Sequence, residues 1–256
     1  MKNEKHFDIK GKTYLITGAY GRIGSRLCDF LIKNGATVIA VGRNEKKLND
    51  LKKKMEDVHI FKTDVGNEND IVSLWKKLKK SFKRIDVLIN NAGKNIPSKF
   101  EEFTGKEWDD VMSVNLKGMF IMCREGVKTK LLKGGSSIIN ISSIYGIVAP
   151  DKRIYGKSGL NCSVAYAVSK GGVIQLTRYL STYLADKKIR VNTISPGGIF
   201  NNQPEFFHKK YVEKTPFRRM GKEEDLFGAV VLLSSEKSSG YITGENIVVD
   251  GGFTVW

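Results

Sequence analysis

Short apolar runs alternate with longer amphipathic stretches along the whole chain. The runs at Thr13–Thr17 (TYLIT), 37–41 (TVIAV), 58–62, 86–90 (DVLIN), 136–142 (SSIINIS), 189–194 and Asn246–Val249 have the length and composition of strands. Between them, 22–34, 45–55, 68–82, 105–132 and 164–185 carry apolar residues at helical spacing; in 68–82 these are Ile71, Val72, Leu74, Trp75 and Leu78. The strands read as continuous apolar runs, which suits strands buried on both faces. Strand and helix in alternation therefore predict an α/β fold: a doubly wound parallel sheet with helices on both faces. No linker rich in Pro, Gly or Ser divides the chain, so a single domain over 1–256 is expected. Two irregular stretches, about 150–162 and about 197–224, follow strands. In such a sheet ligands sit beyond the carboxyl ends of the strands, so both stretches are expected to flank a substrate cleft.

Composition narrows the function classes. At 256 residues and 41% hydrophobic, the chain can bury a substantial core. No uninterrupted apolar window approaches the roughly 18 residues of a membrane span. The N-terminal MKNEKHFDIKGK lacks the apolar stretch of a secretory signal, and a cytoplasmic location is expected. Cys28, Cys123 and Cys162 are far apart and without a CxxC spacing, which fits a reducing compartment. His6, His59 and His208 are equally scattered, so no metal site is expected. The net charge of +16 would suit an acidic partner, but 33 of the 43 basic residues are lysine. They fall on helix faces, with no arginine-rich or aromatic-interleaved strip, so a solvated surface is favoured over a nucleic-acid site. A small-molecule substrate is the expected partner.

The first strand runs into TGAYGRIG, with Gly18, Gly21 and Gly24 between strand and helix. Small residues there permit a tight turn and close approach of backbone to a pyrophosphate, and the helix N-terminus adds N–H donors. This makes the expected sheet Rossmann-like, with Tyr20, Arg22 and Ile23 also beside the dinucleotide. At the end of the second strand Gly42 stands where an acid would bind the ribose hydroxyl of NAD, and Arg43 follows. That pattern favours NADP(H) over NAD(H), although Arg43 as a solvated loop residue is the alternative. Asp64, with Val65, follows the third strand and is placed for the adenine or for capping a helix.

The segment SSIYGIVAPDKRIYGKSGLNCSVAYAVSK, residues 142–170, holds Tyr145, Tyr155 and Tyr166. A lysine one helical turn beyond a tyrosine favours the phenolate, so such a tyrosine can exchange a proton with a carbonyl or alcohol. Only Tyr166–Lys170 and Tyr183–Lys187 have this spacing in the helix 164–185 region. The pairs lie about 25 Å apart along a helix, and only Tyr166 opens it beside the loop after the fifth strand.

These residues carry a resemblance. TGAYGRIG, NNAG at 90–93, Asn115 in VNLKG, ISS, YAVSK, IRVNTISPGG and VVDGG occur in the order seen in short-chain dehydrogenases/reductases of the small single-domain branch. The resemblance implies an oxidoreductase moving a hydride between nicotinamide and a carbonyl or secondary alcohol. It implies that Tyr166 is the general acid/base, that Lys170 lowers its pKa and holds the nicotinamide ribose, and that Ser143 binds the substrate oxygen. It implies that Asn115 holds a water in a proton relay. Asn90, Asn91, Ala92 and Gly93 would line the cofactor cleft, Pro196, Gly197 and Ile199 its nicotinamide end, and Gly198 the substrate. Homo-oligomers, dimers or tetramers, are implied too. Plainer roles stand beside these: Ser142 and Ser143 as strand terminators, Asn115 as a helix hydrogen-bonder.

The chain also departs from that pattern. Its glycine spacing is that of the nucleotide-sugar epimerases and dehydratases, an alternative function with no net redox change; a non-catalytic dinucleotide binder is another. Asn201 stands where the family often has Thr. Ser143 and Tyr166 are 23 residues apart rather than about a dozen, the excess being DKRIYGKSGLN. With its wording, that insertion resembles reductases of bacterial surface-sugar and flagellin-sugar pathways. Asp151, Lys152, Arg153, Tyr155 and Lys157 are accordingly expected to rim the cleft, with the lysines and arginine gripping a phosphate or carboxylate of a polar, sugar-like substrate, unless the insertion is simply a solvated loop.

Overall fold

The computed structural model describes Phe7 and residues 9–256; residues 1–6, His6 among them, and residue 8 lie outside the described residues. Seven strands form one sheet: β1 (Thr13–Thr17), β2 (Thr37–Gly42), β3 (His59–Lys62), β4 (Val87–Asn90), β5 (Ser137–Ile141), β6 (Arg190–Pro196) and β7 (Asn246–Val249). Their order is β3-β2-β1-β4-β5-β6-β7, with every neighbouring pair parallel. The chain steps outward from β1 to β3, then returns to lay β4 against the other side of β1. That reversal opens a crevice at the carboxyl ends of β1 and β4. The doubly wound parallel sheet is thus present as the apolar pattern predicts.

The helices are α1 (Arg22–Lys33), α2 (Glu45–Lys54), α3 (Glu68–Ser81), α4 (Gly105–Met112), α5 (Gly118–Lys128), α6 (Lys152–Tyr155), α7 (Val164–Tyr183), α8 (Glu205–Glu213), α9 (Phe227–Ser234) and α10 (Glu236–Ser239). Alternate strand residues feed two cores. Tyr14 and Ile16 join Leu27 and Leu31 of α1 and Val230 and Leu233 of α9 on one face. Leu15 joins Leu74, Trp75 and Leu78 of α3 and Ile121 and Met122 of α5 on the other. A third core, of Ile144, Ile154, Tyr155, Phe207, Tyr211, Met220 and Phe253, lies over the ends of β5 and β6.

Three expectations are corrected. The single helix over 105–132 is α4 and α5 joined by a π-helical turn, Ser113–Lys117, and it ends at Lys128. A Cβ on Gly118 would lie 2.3 Å from the Val65 carbonyl oxygen, so the chain passes β3's exit too closely for a side chain. The stretches 150–162 and 197–224 are not wholly irregular: they contain α6 and α8, which pack on each other. The helix expected to reach 185 stops at Tyr183, followed by a short tight turn and Lys188 with φ 53°.

Candidate active site

The crevice is a cleft of about 730 Å³. Its glycine turn begins at Gly18, φ +64°, where a Cβ would lie 2.8 Å from Ala92 Cα. A Cβ on Gly24 would lie 2.4 Å from the Gly18 carbonyl oxygen. Gly24 therefore does not face the cleft; it lets α1 start against the turn. The cap residue of α1 is Gly21, with no side chain to accept from the first N–H groups, which leaves them to a ligand. The Thr17 hydroxyl accepts from the Asn91 and Ala92 N–H groups at 3.0 Å each, and Asn91 Nδ2 donates to the Thr17 and Gly18 carbonyls. The turn and the end of β4 are thus one rigid cradle. Gly18, Tyr20, Gly21, Arg22 and Ile23 line one wall, and Asn91, Ala92 and Gly93 the floor. Asn90 stays behind them, buried and donating to Asn140. This cradle fits a pyrophosphate.

At the far end Arg43, Asp64 and Val65 line the cleft. Arg43 is exposed at the rim, and Asp64 accepts from the Gly66 N–H at 2.9 Å. The Tyr20 ring lies against Gly42, where a Cβ would come within 2.3 Å of it. Arg22 turns away from this end and binds Glu223 and Asn201, so it is a strut rather than a free cation.

Ser143, Tyr166 and Lys170 meet at the middle of the cleft. Ser143 terminates β5, and its hydroxyl accepts from the Tyr145 N–H at 3.2 Å. Tyr166 sits in the first turn of α7, capped by Ser163, whose hydroxyl accepts from the Tyr166 N–H. A Ser143–Tyr166 side-chain hydrogen bond works to lower the phenol's pKa, but burial dominates and pushes it up to about 12. Lys170 lies one turn on, 5.5 Å from the Tyr166 ring centroid. Its Nζ donates to the Ile141 carbonyl at 2.9 Å, and burial pushes its pKa down to about 8. Desolvation sets the direction of the Tyr166 shift, while one bond to a carbonyl leaves the Lys170 ammonium its charge and two of its three protons.

Asn115 lies within the π turn and is fully buried. Its Oδ1 accepts from the Lys94 N–H at 2.7 Å, and its Nδ2 donates to the Lys94 carbonyl and the Ser169 hydroxyl. It braces the strand leaving β4, beside Lys170: a Cβ on Gly93 would stand 3.6 Å from Lys170 Nζ and 3.9 Å from Asn115 Oδ1.

Pro196, Gly197, Gly198 and Ile199 line the cleft after β6. Of the insertion Tyr155 and Asn161 reach it; Lys152 and Arg153 do not. Arg153 is 88% exposed and holds Asp151, which also accepts from Lys214 at 2.6 Å. These partners keep the Asp151 carboxyl far below the usual carboxylate range. The expected phosphate grip by Lys152 and Arg153 is thus absent. Arg153 lies on Asp151 within the insertion, and it is Asp151 that fastens the insertion to Lys214 after α8. The residues that complete the substrate wall, among them Tyr145, Cys162, Phe207, Tyr211 and Met220, carry no spacing motif.

A glycine cradle at a topological switch point, leading to a buried Ser–Tyr–Lys set, defines a dinucleotide-dependent oxidoreductase. Comparison with known proteins agrees. Residues 18–254 match the family model described as enoyl-(acyl carrier protein) reductase. The 3-oxoacyl-(acyl-carrier-protein) reductase FabG of Thermotoga maritima is 34% identical over 255 residues, 96% of this chain and 99% of that one. A short-chain dehydrogenase from Leptospira borgpetersenii, solved with bound NAD+, superposes with TM-score 0.89 at 36% identity, covering 100% of this chain and 98% of that one. A gluconate 5-dehydrogenase from Burkholderia cenocepacia, solved with NADP and tartrate, has TM-score 0.88 at 27% identity, covering 98% of each chain. The chain belongs to the short-chain dehydrogenase/reductase family and is an NAD(P)-dependent oxidoreductase.

Proposed function

We propose that the chain is an NADP(H)-preferring reductase of a ketone, or dehydrogenase of the corresponding secondary alcohol, on a polar, hydroxylated small molecule. The observation that carries the reading is the meeting of Ser143, Tyr166 and Lys170 in the cleft that the glycine cradle opens. Gly18, Gly21, the Ala92–Gly93 floor and the segment after Pro196 would hold the dinucleotide, with Arg43 at its ribose end. The bound cofactor supplies or accepts a hydride at its nicotinamide. Ser143 Oγ, oriented by the Tyr145 N–H, binds the substrate oxygen. The Tyr166 phenol, neutral at physiological pH, delivers its proton to that oxygen as the alkoxide forms. The Lys170 ammonium, held by the Ile141 carbonyl, offsets the phenolate that results, and Asn115 fixes the neighbouring backbone. Replacing Tyr166 by Phe is expected to remove turnover while leaving NADP(H) binding within about twofold, since one phenolic hydroxyl is lost and the ring is kept. A Tyr166→Phe enzyme with near-native rate overturns the reading.

A second reading follows from the named relatives: reduction of a 3-oxoacyl thioester. Turnover of an acetoacetyl thioester faster than of small hydroxyketones would favour it. The reading includes a homo-oligomer, supported by an apolar groove of Met112, Leu116, Phe120, Leu176 and Tyr179 on the outer face of α5 and α7. Light scattering on the purified chain tests this. It also includes a cytoplasmic location, supported by three unpaired cysteines. Among the described residues no helix is long and apolar enough to cross a membrane.

A further inference from the structure

Most polar side chains on the substrate wall are already engaged. Asn95 donates to the Asn161 carbonyl and accepts from the Ser163 hydroxyl; Asn161 donates to the Ser98 carbonyl. Gln203 accepts from the Asn201 N–H and donates to the Ile199 carbonyl. The Tyr211 hydroxyl accepts from the Gly198 N–H. Burial pushes the Cys162 thiol up to about 12, so it stays a weakly polar S–H.

Tyr211 keeps its own O–H, packed between Phe207 and Phe253; Tyr145 and Tyr155 differ in pairing with each other next to Ser143. Their hydroxyls lie 2.7 Å apart and form one hydrogen bond, Tyr155 donating to Tyr145. Two phenols carry two protons, and one bond between them uses one. Whichever ring donates, one O–H is left over, and both rings line the cleft beside Ser143 and Tyr166. Burial raises both phenols, so the pair is neutral. Tyr145 joins Ser143 directly, through the N–H that orients the serine hydroxyl. Tyr155 is held in place by Phe207, ring centroids 5.3 Å apart. The charged side chains of the cleft lie elsewhere. Arg22, Arg43 and Asp64 are on the dinucleotide side, Lys170 is on Ile141, and Lys94 is paired with Asp110 at 3.0 Å.

We propose that the Tyr145–Tyr155 hydroxyl pair is a specificity element that donates to a second, uncharged oxygen on the substrate, on a carbon next to or near the reacting carbonyl. The proposal rests on the reading of Tyr166 and Ser143 as the reacting end of the cleft. It names the substrate class: a ketone with a neighbouring hydroxyl or carbonyl oxygen rather than a ketoacid or an unfunctionalised ketone. A substrate lacking that oxygen leaves the spare phenolic proton buried without a partner, which a polar site discriminates against strongly.

Three small ketones separate the outcomes. Hydroxyacetone carries the second oxygen, butanone replaces it with a methyl group, and pyruvate replaces it with a charged carboxylate. Dissociation constants for each are measured on the enzyme–NADP complex, and kcat/KM on the enzyme with NADPH. Hydroxyacetone is expected to be favoured about tenfold or more over both others, the worth of one well-placed neutral hydrogen bond. The double variant Tyr145→Phe/Tyr155→Phe keeps both rings, removes both protons and is expected to bring the hydroxyacetone-to-butanone ratio towards one, whereas each single variant keeps one free O–H. Equal binding of hydroxyacetone and butanone by the native enzyme overturns the proposal, as does a ratio unchanged in the double variant. A binding preference without turnover overturns the reading of the reaction instead and leaves the pair assigned. Thermal unfolding and NADP binding of each variant separate a lost fold, which lowers both, from a lost contact, which moves only the ratio.

Discussion

Arg22, in the glycine turn, lies on Glu223, across the mouth of the cleft in the segment that follows β6. Arg26, one turn along α1, lies on Glu224 in the same way. The charge that would have made Arg22 a phosphate ligand is thus neutralised by a carboxylate. The proposed preference for NADP(H) then rests on Arg43, which has no ion pair among the described residues and stands at the cleft rim. Arg43→Ala is expected to weaken NADPH on the order of tenfold or more, the scale of one charge-assisted contact, and to leave NADH little changed. Arg22→Ala is expected to weaken both cofactors alike. Fluorescence titration with the two dinucleotides checks both; equal losses in Arg43→Ala would remove the NADP assignment.

Gly42 cannot simply be given the acid that would suit NAD. A Cβ there falls 2.3 Å from the Tyr20 ring. Gly42→Asp alone should displace that ring and cost about 1–3 kcal/mol, the usual scale of overpacking. Gly42→Asp combined with Tyr20→Ala should recover much of it and shift preference toward NADH. Denaturant midpoints and cofactor affinities on the single and double variants test the coupling.

The pH dependence follows from the two shifted groups. In the proposed mechanism, reduction uses a neutral Tyr166 phenol and a charged Lys170 ammonium. The first persists up to about 12 and the second only below about 8. Reductive kcat/KM is therefore expected to hold through neutral pH and to decline as pH rises past about 8. Oxidation of the alcohol needs a proton acceptor and is expected to accelerate as pH rises through the neutral range. A reductive profile that instead climbs between neutral pH and about 9 would mean that burial does not govern this pair.

Asp151 joins Arg153, next to it in the insertion, to Lys214, after α8. Lys214 also stands 5.5 Å over the Phe253 ring, and the Trp256 indole N–H donates to its carbonyl. Asp151→Asn is expected to loosen the insertion, raise KM more than it lowers kcat, and speed tryptic cleavage after Lys152, Arg153 and Lys157 several-fold. Unchanged cleavage would show that the third core alone holds the insertion down.

What could be read from residue order followed physical periodicity. The strands were visible because burial on both faces makes them continuously apolar. Gly18, Tyr166 and Lys170 were visible because a turn, a helix and a one-turn spacing are local. The π turn around Asn115 was not, since one extra residue per turn leaves the apolar repeat nearly intact and the reason for it, Val65 pressing on Gly118, is distant in sequence. Lys152 and Arg153 misled for a related reason. Charge type is legible, but the direction a side chain faces is not: neither reaches the cleft, and Arg153 lies on Asp151 instead. Tyr145 has no lysine one turn on, and only the folded chain shows it lining the cleft beside Ser143 and Tyr166.

The third core shares no buried residue with the two cores that sandwich the sheet. Substitutions among Ile154, Tyr155, Phe207 and Met220 therefore draw on a reserve of stability separate from the one that keeps the glycine cradle rigid. A lineage can explore new substrates at those positions, passing through partly loosened roofs, while retaining its nicotinamide chemistry at each step. Such a division makes this chain a favourable starting point for directed evolution of ketone selectivity.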